Sequence, residues 1–467
     1  MAKDLRHFMS QLARDYTDDL VEVSRPVRPA EFEVTALLEH LDRRGLYPAV
    51  HFLEPANVKG DASEFTLLSN VFGTRERCAT ALDFPREQAK MPLSIEFARR
   101  ERMSLAALAV APSEAPVKER VVCGEAMDIG LLPIVRHHEM DLSPVLTMTV
   151  VMRDPDDGFY DITFLKAFPQ GPRRVGLAIH SPHLERILDK YEKRGRRAPM
   201  VIVLGHHPAF YLGSLSLSPF GVNDYDAVGG FLGEPLRLVA SETWGDDFMV
   251  PADAEIVIEG EIIPGERAIV NPFGEVTRHY QAQCLRPVAE LTALTHREGA
   301  ILQDVFPGHQ GHWNLGGIPK EGSLYNVLNQ RFGGVRGVHL PYSGCSRFSC
   351  YISMDKQEEG KAKMLGMEAL AQTKLMEAVV IVDEAIDPFN EPDVIWAVVT
   401  QTNPRRDVTV IHNAQSFFFS AMGSSKVIVD ATRPLDTAFP EKIRVPQEAM
   451  DRMGLDEWLD MARFERR

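Results

Sequence analysis

The sequence predicts a mixed α/β (α+β) protein with an N-terminal α/β domain, a strand-rich central domain and a C-terminal α/β domain. Its 467 residues, 45% of them hydrophobic, are enough for two or three domains with sizeable cores. Helical periodicity recurs at both ends of the chain, whereas short strands separated by Gly and Pro dominate its middle. We place the domains at residues 1–112, 113–305 and 306–467.

The N-terminal domain alternates helices and strands. Apolar residues at helical spacing predict a first helix over Asp4–Asp15. The segment Ala111–Pro116 resembles a linker and follows the end of the domain. The other expected elements are a strand Leu20–Val23, a helix Ala30–Arg44, and a strand from Thr66 that leads into a turn and a helix.

The central region has the pattern of an antiparallel barrel or sandwich, because its many short strands are separated by Gly and Pro. A single helix, from about Pro182 to Arg194, is expected to interrupt them. The clearest strands are Thr147–Met152, Val201–Leu204, Leu236–Val239 and Glu255–Ile258.

The C-terminal region alternates a helix, Gly360–Leu375, with apolar strands. Strands that are apolar throughout are buried on both faces, which is typical of a mainly parallel sheet. We expect these strands at Ala378–Asp383, Val394–Val399, Val408–His412 and Lys426–Asp430.

Composition narrows the class of partner. The net charge of −15 argues against nucleic acid or an anionic membrane as the main partner. The five cysteines are odd in number and lack zinc-site spacing, so we expect reduced thiols in a cytoplasmic protein. The N-terminus lacks the apolar core of a signal peptide, and no stretch is long enough to span a bilayer.

The most informative motif is Asn271–Glu275, which follows a strand-like run at residues 254–263. Proline fixes φ and glycine lets the backbone pass close to a ligand, so Glu275 is expected on a rigid mount. We expect partial desolvation to raise the pKa of Glu275, which would suit it to proton transfer. The simpler alternative is a surface turn whose acid is solvated.

Three further segments carry side chains of metal-ligand type. Asp161 and Lys166 stand at the two ends of a strand-like run, His183 stands at the start of the interrupting helix, and Asp224 precedes a Gly-Gly pair. Two carboxylates and an imidazole suit Mn²⁺ or Mg²⁺. Taken singly, each residue has a simpler structural interpretation: Asp161 as a capping acid, His183 as a surface His and Asp224 as a loop Asp.

Over nearly its whole length the sequence resembles the UbiD family, the prenylated-FMN-dependent (de)carboxylases. The resemblance implies that the central domain is a split β-barrel that binds the flavin and that the C-terminal domain mediates oligomerisation. It is carried by segments in the family's order and near its spacing, namely Gly73–Arg77, Gly233–Pro235, Pro251–Val257, Pro272–Glu275, Ser353–Gln357 and Ile381–Glu384.

The resemblance also implies a cofactor site. In the family a divalent metal, usually Mn²⁺ with K⁺ nearby, bridges the protein to the phosphate of the modified flavin. Its ligands fall on Asp161, His183 and Asp224, with His180 as the alternative imidazole; at Asp224 the family more often has Glu. The residues implied along the cofactor are Thr163, Leu165, Ser216, Leu217 and Lys356, the last as a point charge on the phosphate.

Two catalytic residues follow from the same resemblance. Glu275 matches the acid that moves a proton to the substrate carbon, and Lys166 stands at the position of the family's catalytic Arg. Val270 stands where the family has a first acid. A Lys binds a carboxylate as a point charge rather than bidentately. These departures leave two interpretations: a site in which the Lys166 charge meets the substrate anion, or a site that has lost activity.

The implied reaction is the reversible non-oxidative decarboxylation of an aromatic or α,β-unsaturated acid, with prenylated FMN taking up the electrons. Lys166 anchors the carboxylate and Glu275 donates the proton. The implied partners are a flavin prenyltransferase that supplies the cofactor and further copies of the chain, in a homodimer or higher homo-oligomer. Two alternatives are a non-catalytic structural subunit of a multi-subunit carboxylase and a plain FMN-binding redox protein.

Three segments are candidates for the substrate pocket, and each has a simpler structural role. Ser416–Ser420 could supply an aromatic wall over the flavin, or it could be part of the hydrophobic core. His309–Trp313 is expected in a Gly-rich loop, where hydrogen bonding is a better interpretation than metal binding. Cys345–Arg347 orients a ligand or caps a turn.

Overall fold

The computed structural model describes residues 3–416 and 425–461 of the chain. Its elements confirm the mixed α/β class, with sheets of four, eight, three, two and five strands among these residues. Within the same ranges, no helix is both long and apolar enough to cross a membrane.

The N-terminal region follows the predicted alternation. The first helix begins after Asp4, whose carboxylate accepts a hydrogen bond from the His7 amide at 2.7 Å, and it buries Leu5, Phe8 and Leu12. The helices are α1 (Leu5–Asp15), α2 (Glu33–Asp42), α3 (Arg75–Ala81) and α4 (Met91–Arg100); the strands are β1 (Leu20–Val23), β2 (Ala49–Phe52), β3 (Thr66–Ser69) and β4 (Leu108–Ala109).

The central region contains most of the strands. It carries three α-helices rather than the single one expected, namely α5 (Pro182–Glu192), α6 (Pro208–Gly213) and α7 (Asp224–Leu232). Its strands are β5 (Arg120–Cys123), β6 (Thr149–Arg153), β7 (Tyr160–Phe164), β8 (Lys166–Gly171), β9 (Arg174–Ala178), β10 (Ala198–Leu204), β11 (Arg237–Ser241), β12 (Gly245–Pro251), β13 (Ile256–Val270), β14 (Phe273–Gly274), β15 (Tyr280–Gln281), β16 (Cys284–His296) and β17 (Ile301–Asp304).

The eight-stranded sheet forms a split barrel. Its order is β7-β6-β10-β13-β16-β9-β8, with β5 also paired to β16, and every pair is antiparallel. The two edge strands β7 and β8 are consecutive and separated only by Leu165, so the sheet must curl until its edges meet. A bridge between Leu146 and Ala167 joins the β8 edge to the segment that leads into β6.

The last strand of the central region connects it to the N-terminal sheet. Strand β17 pairs in parallel with β3, which completes the four-stranded order β1-β2-β3-β17. One continuous hydrophobic core therefore joins the two regions, from Leu5 and Phe52 to Val257 and Leu302. Burial of this shared core fixes the N-terminal region against the barrel.

The C-terminal region carries a mixed five-stranded sheet. The helices are α8 (Gln310–Phe332), α9 (Lys361–Ala371), α10 (Glu391–Gln401), α11 (Pro404–Asp407), α12 (Gln447–Arg452) and α13 (Leu455–Trp458). The strands are β18 (Val335–His339), β19 (Ser349–Met354), β20 (Ala378–Asp383), β21 (Val408–His412) and β22 (Ser425–Ala431). The order is β18-β19-β20-β22-β21. The two inner pairs are parallel and the two outer pairs antiparallel, so the mainly parallel sheet was predicted wrongly.

The strand predicted at Val394–Val399 was also wrong, because this segment lies inside helix α10. Val394 and Ala397 are buried, whereas Val399 is 75% exposed. An apolar run can be a strand buried on both faces or a helix whose outer face is apolar as well. Pro392 in the first turn, flanked by two acids, was the helix signal that the apolar pattern outweighed.

Candidate active site

Hydrogen bonds to the Asp141 carboxylate fix the turn that precedes Glu275. One carboxylate oxygen of Asp141 accepts from the amide of Gly274 at 2.9 Å, and the other accepts from the amide of His138 at 2.9 Å. A Cβ at position 274 would overlap the His138 ring, so the glycine is required for this close approach. The rigid mount predicted from the Pro-Phe-Gly sequence is therefore present, with an anchor that lies far away in sequence.

Glu275 forms an ion pair with Lys166. The Nζ atom of Lys166 lies 2.8 and 2.9 Å from the two carboxylate oxygens of Glu275. Burial acts to raise the pKa of Glu275, but the Lys166 charge and hydrogen bond outweigh it, and the pKa is lowered from its usual value. The predicted rise was wrong for this state, because Lys166 was not expected to pair with the acid.

Val270, at the position where the resemblance implies an acid, is part of the apolar packing near the Glu275 turn. Its side chain is fully buried in an apolar cluster with Val145, Phe168, Ala178 and Phe273. A carboxylate in this environment would lose its hydration without a partner, at a cost of several kcal/mol. Val270 and Phe273 therefore contribute core packing next to Glu275.

A cavity of about 220 Å³ opens beside Lys166. Of the predicted site residues it is lined by Thr163, Leu165 and Lys166. The remaining lining residues are Thr147, Phe164, Leu215, Val305, Pro307, His312, Leu315 and Arg347. The barrel edge and the beginning of the C-terminal region therefore face each other across this cavity.

The three predicted metal ligands lie close to one another. Asp161 on β7 has a carboxylate oxygen 2.8 Å from Nδ1 of His183, in the first turn of α5. Asp224 begins α7, and its carboxylate accepts from the amide of Ile162 at 2.8 Å. Burial and the neighbouring Asp161 charge raise the pKa of Asp224 well above its usual value.

This acid pair would gain stability from a cation. Burial also raises the pKa of Asp161, against the opposing effect of His183. Neither Asp161 nor Asp224 forms an ion pair with Lys or Arg within residues 3–416 and 425–461. Across the same residues, no three His, Cys, Asp or Glu side chains form a group that could hold a metal ion, and His183 bonds directly to Asp161.

Three predicted cofactor residues lie outside the cavity lining. Ser216 directly follows the lining residue Leu215, and its hydroxyl is bonded to Ser218 at 2.8 Å. Leu217 is 57% exposed. Lys356 is buried in the C-terminal region, where it pairs with Glu359 at 3.1 Å and lines a separate cavity with Asp383 and Arg433.

Two of the three pocket segments contribute to the cavity. His312 and Trp313 are in helix α8, so the loop predicted over His309–Trp313 was wrong; helix formation begins after His309. Arg347 follows Cys345 and Ser346, both of which have positive φ, and its guanidinium reaches the cavity. Of Ser416–Ser420, only Ser416 lies within the described residues, and it donates a hydrogen bond to Glu377 at 2.7 Å.

Three domain matches define the class of this protein. Residues 13–90, 109–310 and 313–431 match the N-terminal, Rift-related and C-terminal domains of 3-octaprenyl-4-hydroxybenzoate carboxy-lyase. By class the chain is a carboxy-lyase, and it belongs to the UbiD family.

Characterised relatives agree with this assignment. The phenolic acid decarboxylase of Streptomyces sp. strain D7 is 31% identical over 454 residues, which cover 92% of each chain. The anhydromevalonate phosphate decarboxylase of Methanothermobacter thermautotrophicus is 32% identical over 317 residues, which cover 67% of this chain and 74% of the relative.

Solved structures show the same architecture along nearly the whole chain. The UbiD-class enzyme HmfF from Pelotomaculum thermopropionicum in complex with FMN superposes with a TM-score of 0.89 at 32% identity, covering 98% of this chain and all of that one. An evolved dimeric form of HmfF in complex with prFMN superposes with a TM-score of 0.87 at 33% identity, with the same coverage.

Proposed function

We propose that this protein catalyses the reversible non-oxidative decarboxylation of an aromatic or α,β-unsaturated carboxylic acid with prenylated FMN. The observation that carries the proposal is the Lys166–Glu275 pair at the cavity beside the split barrel. Relatives that decarboxylate phenolic acids and bind FMN or prFMN support it. When bound, the prenylated flavin supplies an electron sink for the charge left on carbon as CO₂ departs.

Lys166 anchors the substrate carboxylate in this proposal. Its ammonium lies beside the cavity and already holds a carboxylate, that of Glu275. An incoming substrate carboxylate competes for the same donor hydrogens. Binding therefore weakens the hold of Lys166 on Glu275.

This exchange of partners prepares Glu275 to act as an acid. With Lys166 engaged elsewhere, burial remains as the main influence on Glu275 and raises its pKa. The carboxyl group then takes up a proton and delivers it to the substrate carbon after CO₂ leaves. In the reverse direction the carboxylate removes that proton.

The acid pair at the barrel edge would hold the metal. Asp161, His183 and Asp224 offer two hard oxygens and an imidazole to Mn²⁺ or Mg²⁺, and their buried negative charge fits a cation. The metal would neutralise the flavin phosphate next to an acidic protein, with K⁺ as a second ion. Thr163, Leu165, Ser216 and Leu217 would lie along the cofactor, and Lys356 would add a point charge on its phosphate. His183 would have to exchange its bond to Asp161 for the metal.

The proposal includes two protein partners. A flavin prenyltransferase would supply the cofactor, and a second copy of the chain would pack on the C-terminal region. Strand β21 is an edge strand whose Val410 is half exposed, and helix α10 exposes Val399. An apolar sheet edge and helix face of this kind suit a homodimer or higher homo-oligomer.

Replacement of Glu275 by Gln tests the proposed function. Because the amide cannot donate a proton as an acid does, we expect decarboxylation to fall by about 10²–10⁴-fold. Bound flavin should be unchanged, since the substitution keeps the shape of the side chain. The matched control is E125Q at an exposed position. Full activity of E275Q would remove Glu275 from the mechanism.

Two other results would favour the alternatives. A folded protein that binds neither flavin nor metal would favour a structural subunit. Tightly bound, unmodified FMN that can be reduced reversibly, without CO₂ exchange, would favour a redox protein. The family assignment argues for the enzyme over both.

A further inference from the structure

One side of helix α8 carries a row of residues that begins at the candidate active site, where His312 lines the cavity. His312, Gly316 and Lys320 are spaced by four, so they lie on one side of the helix. The guanidinium of Arg347 lies against Gly316, where a Cβ would overlap it. Arg347 therefore sits in the row between His312 and Lys320. We call the side chains of His312, Arg347 and Lys320 the cation row.

The cation row has no acid of its own. Among residues 3–416 and 425–461, neither Arg347 nor Lys320 forms an ion pair. Within the same residues the guanidinium of Arg347 donates one hydrogen bond, a long one of 3.5 Å to the carbonyl of Cys345. Glu275 is the carboxylate that acts on Arg347 from a distance, and Lys166 already holds it.

Burial disfavours the charged form of each side chain in the row and lowers its pKa. Burial lowers the pKa of Lys320 to about 7 and that of Arg347 to about 10. Burial, together with the Arg347 and Lys166 charges, lowers the pKa of His312 well below its usual value. Lys320 and Arg347 are partly buried. Cations that lose hydration without gaining a partner cost stability, and a ligand of opposite charge offsets that cost.

One substrate carboxylate does not balance this site. The reacting carboxylate takes Lys166 and leaves Glu275 to become neutral. Arg347 and Lys320 then still lack an anion. The fork of a guanidinium matches the oxygens of a carboxylate or a phosphate, and an ammonium adds a point charge to either.

We propose that the cation row binds a second anionic group of the substrate, so that the substrate is a dicarboxylic or phosphorylated unsaturated acid. Arg347 and Lys320 bind the oxygens of the second group, and Lys166 holds the carboxylate that leaves as CO₂. This inference rests on the proposed function, because it takes the position of the reacting carboxylate from it.

Binding to the holoenzyme tests the inference without requiring turnover. Calorimetry would compare benzoate with benzene-1,3-dicarboxylate, benzene-1,4-dicarboxylate and 4-phosphonobenzoate. Each charged hydrogen bond contributes about 1.5–3 kcal/mol, so we expect a doubly anionic probe to bind at least about 10-fold more tightly than benzoate. Comparing the affinity for the phosphono compound with the affinities for the two diacids shows whether the row prefers a phosphate-type group or a carboxylate.

Three variants test whether the cation row causes the higher affinity for doubly anionic probes. R347M and K320M should each lower the affinity for the doubly anionic probe by more than the affinity for benzoate, so that the preference is lost. R347K should keep part of it, and flavin content checks that each variant is folded. The matched control is R331M, near the end of the same helix, where Arg331 is exposed and paired with Glu368.

Several outcomes would overturn the inference. Equal affinity of wild-type protein for benzoate and every doubly anionic probe would exclude a second anion site. An equal loss of benzoate and diacid binding in R347M would place the reacting carboxylate on Arg347 instead. Failure of the proposed function is distinguishable, because it appears as absence of CO₂ exchange with every acid, whatever the affinities.

Discussion

Lys166 contacts one carboxylate in the structure, that of Glu275, and both carboxylate oxygens lie within hydrogen-bond distance of its ammonium. Lys166 and Glu275 form an ion pair, and Val270 is buried in an apolar cluster, whereas the resemblance implies an Arg at position 166 and a further acid at position 270. An ammonium has three donors on a flexible stem and lacks the planar fork of a guanidinium. In the proposed function, Glu275 and the substrate carboxylate therefore exchange on Lys166, which couples substrate binding to the protonation of Glu275.

Lys320 gives a prediction at the scale of a single residue. Its pKa is lowered from 10.5 to about 7 by burial, so the unfolded chain binds its proton more readily than the folded protein between these values. The buried amine therefore costs stability most at and below pH 7, and this cost disappears as pH rises toward 10.5. K320M should stabilise the protein by on the order of a few kcal/mol near neutral pH, since each pKa unit corresponds to about 1.4 kcal/mol.

Thermal unfolding at two pH values measures this effect. The rise in melting temperature of K320M over the wild type should be larger at about pH 6.5 than at about pH 9.5. R331M, which removes an exposed cation from the same helix, should show no such difference. A melting temperature that falls in K320M at both pH values would show that Lys320 has a partner that stabilises it.

Helix α8 gives a prediction at the scale of an element. Gly316 lies inside a 23-residue helix, where a glycine costs about 1 kcal/mol relative to alanine. G316A should therefore keep or raise helix stability, while its Cβ displaces the Arg347 guanidinium. We expect unchanged or higher melting temperature together with loss of the preference for doubly anionic probes.

The comparison of stability with binding makes this variant informative. A Gly317→Ala variant is the control, because its Cβ would meet the side chain of Ser346 rather than Arg347. If G316A binds diacids as the wild type does, Gly316 does not determine where the guanidinium lies.

The elements differ in how well the sequence predicts them. Helix α1 was predicted because its cap and its apolar spacing agree, and strand β20 because its residues are apolar throughout. Helix α10 was missed because its exposed face is as apolar as its buried one. The arrangement of β7 and β8 at the two edges of one sheet depends on barrel closure, which no local pattern encodes.

The candidate site shows the same division. The Pro-Phe-Gly turn was readable because its conformation is set by adjacent residues, and the pairing of Asp161 with His183 agrees with the neighbourhood that the resemblance implies. The lowered pKa of Glu275 and the role of Asp141 were not readable, since both depend on contacts between distant segments. Lys320 carries no motif, and only its burial and the nearby Arg347 charge, which both lower its pKa, distinguish it from a surface lysine.

At the scale of the whole molecule, the candidate site combines two parts of the chain. Lys166 and Glu275 belong to the split barrel, which shares its core with the N-terminal region through β17. His312 and Arg347 belong to the C-terminal region, whose sheet has further hydrophobic clusters and whose helix α8 adds Leu315 and Ile318 to the barrel core. The barrel supplies the proposed chemistry, and the C-terminal region supplies the positive charge that we assign to substrate selection.

The most direct test of the central claim is cofactor analysis of the whole protein, purified without oxygen after co-expression with a flavin prenyltransferase. Mass spectrometry and metal analysis would be combined with ¹³CO₂ exchange into a panel of aromatic acids. We predict prenylated FMN and a divalent metal in the wild type, loss of both in H183A, and CO₂ exchange that E275Q lacks. A folded wild-type protein without prenylated flavin would contradict the claim. So would an E275Q variant that carries prenylated flavin and exchanges CO₂ as well as the wild type does.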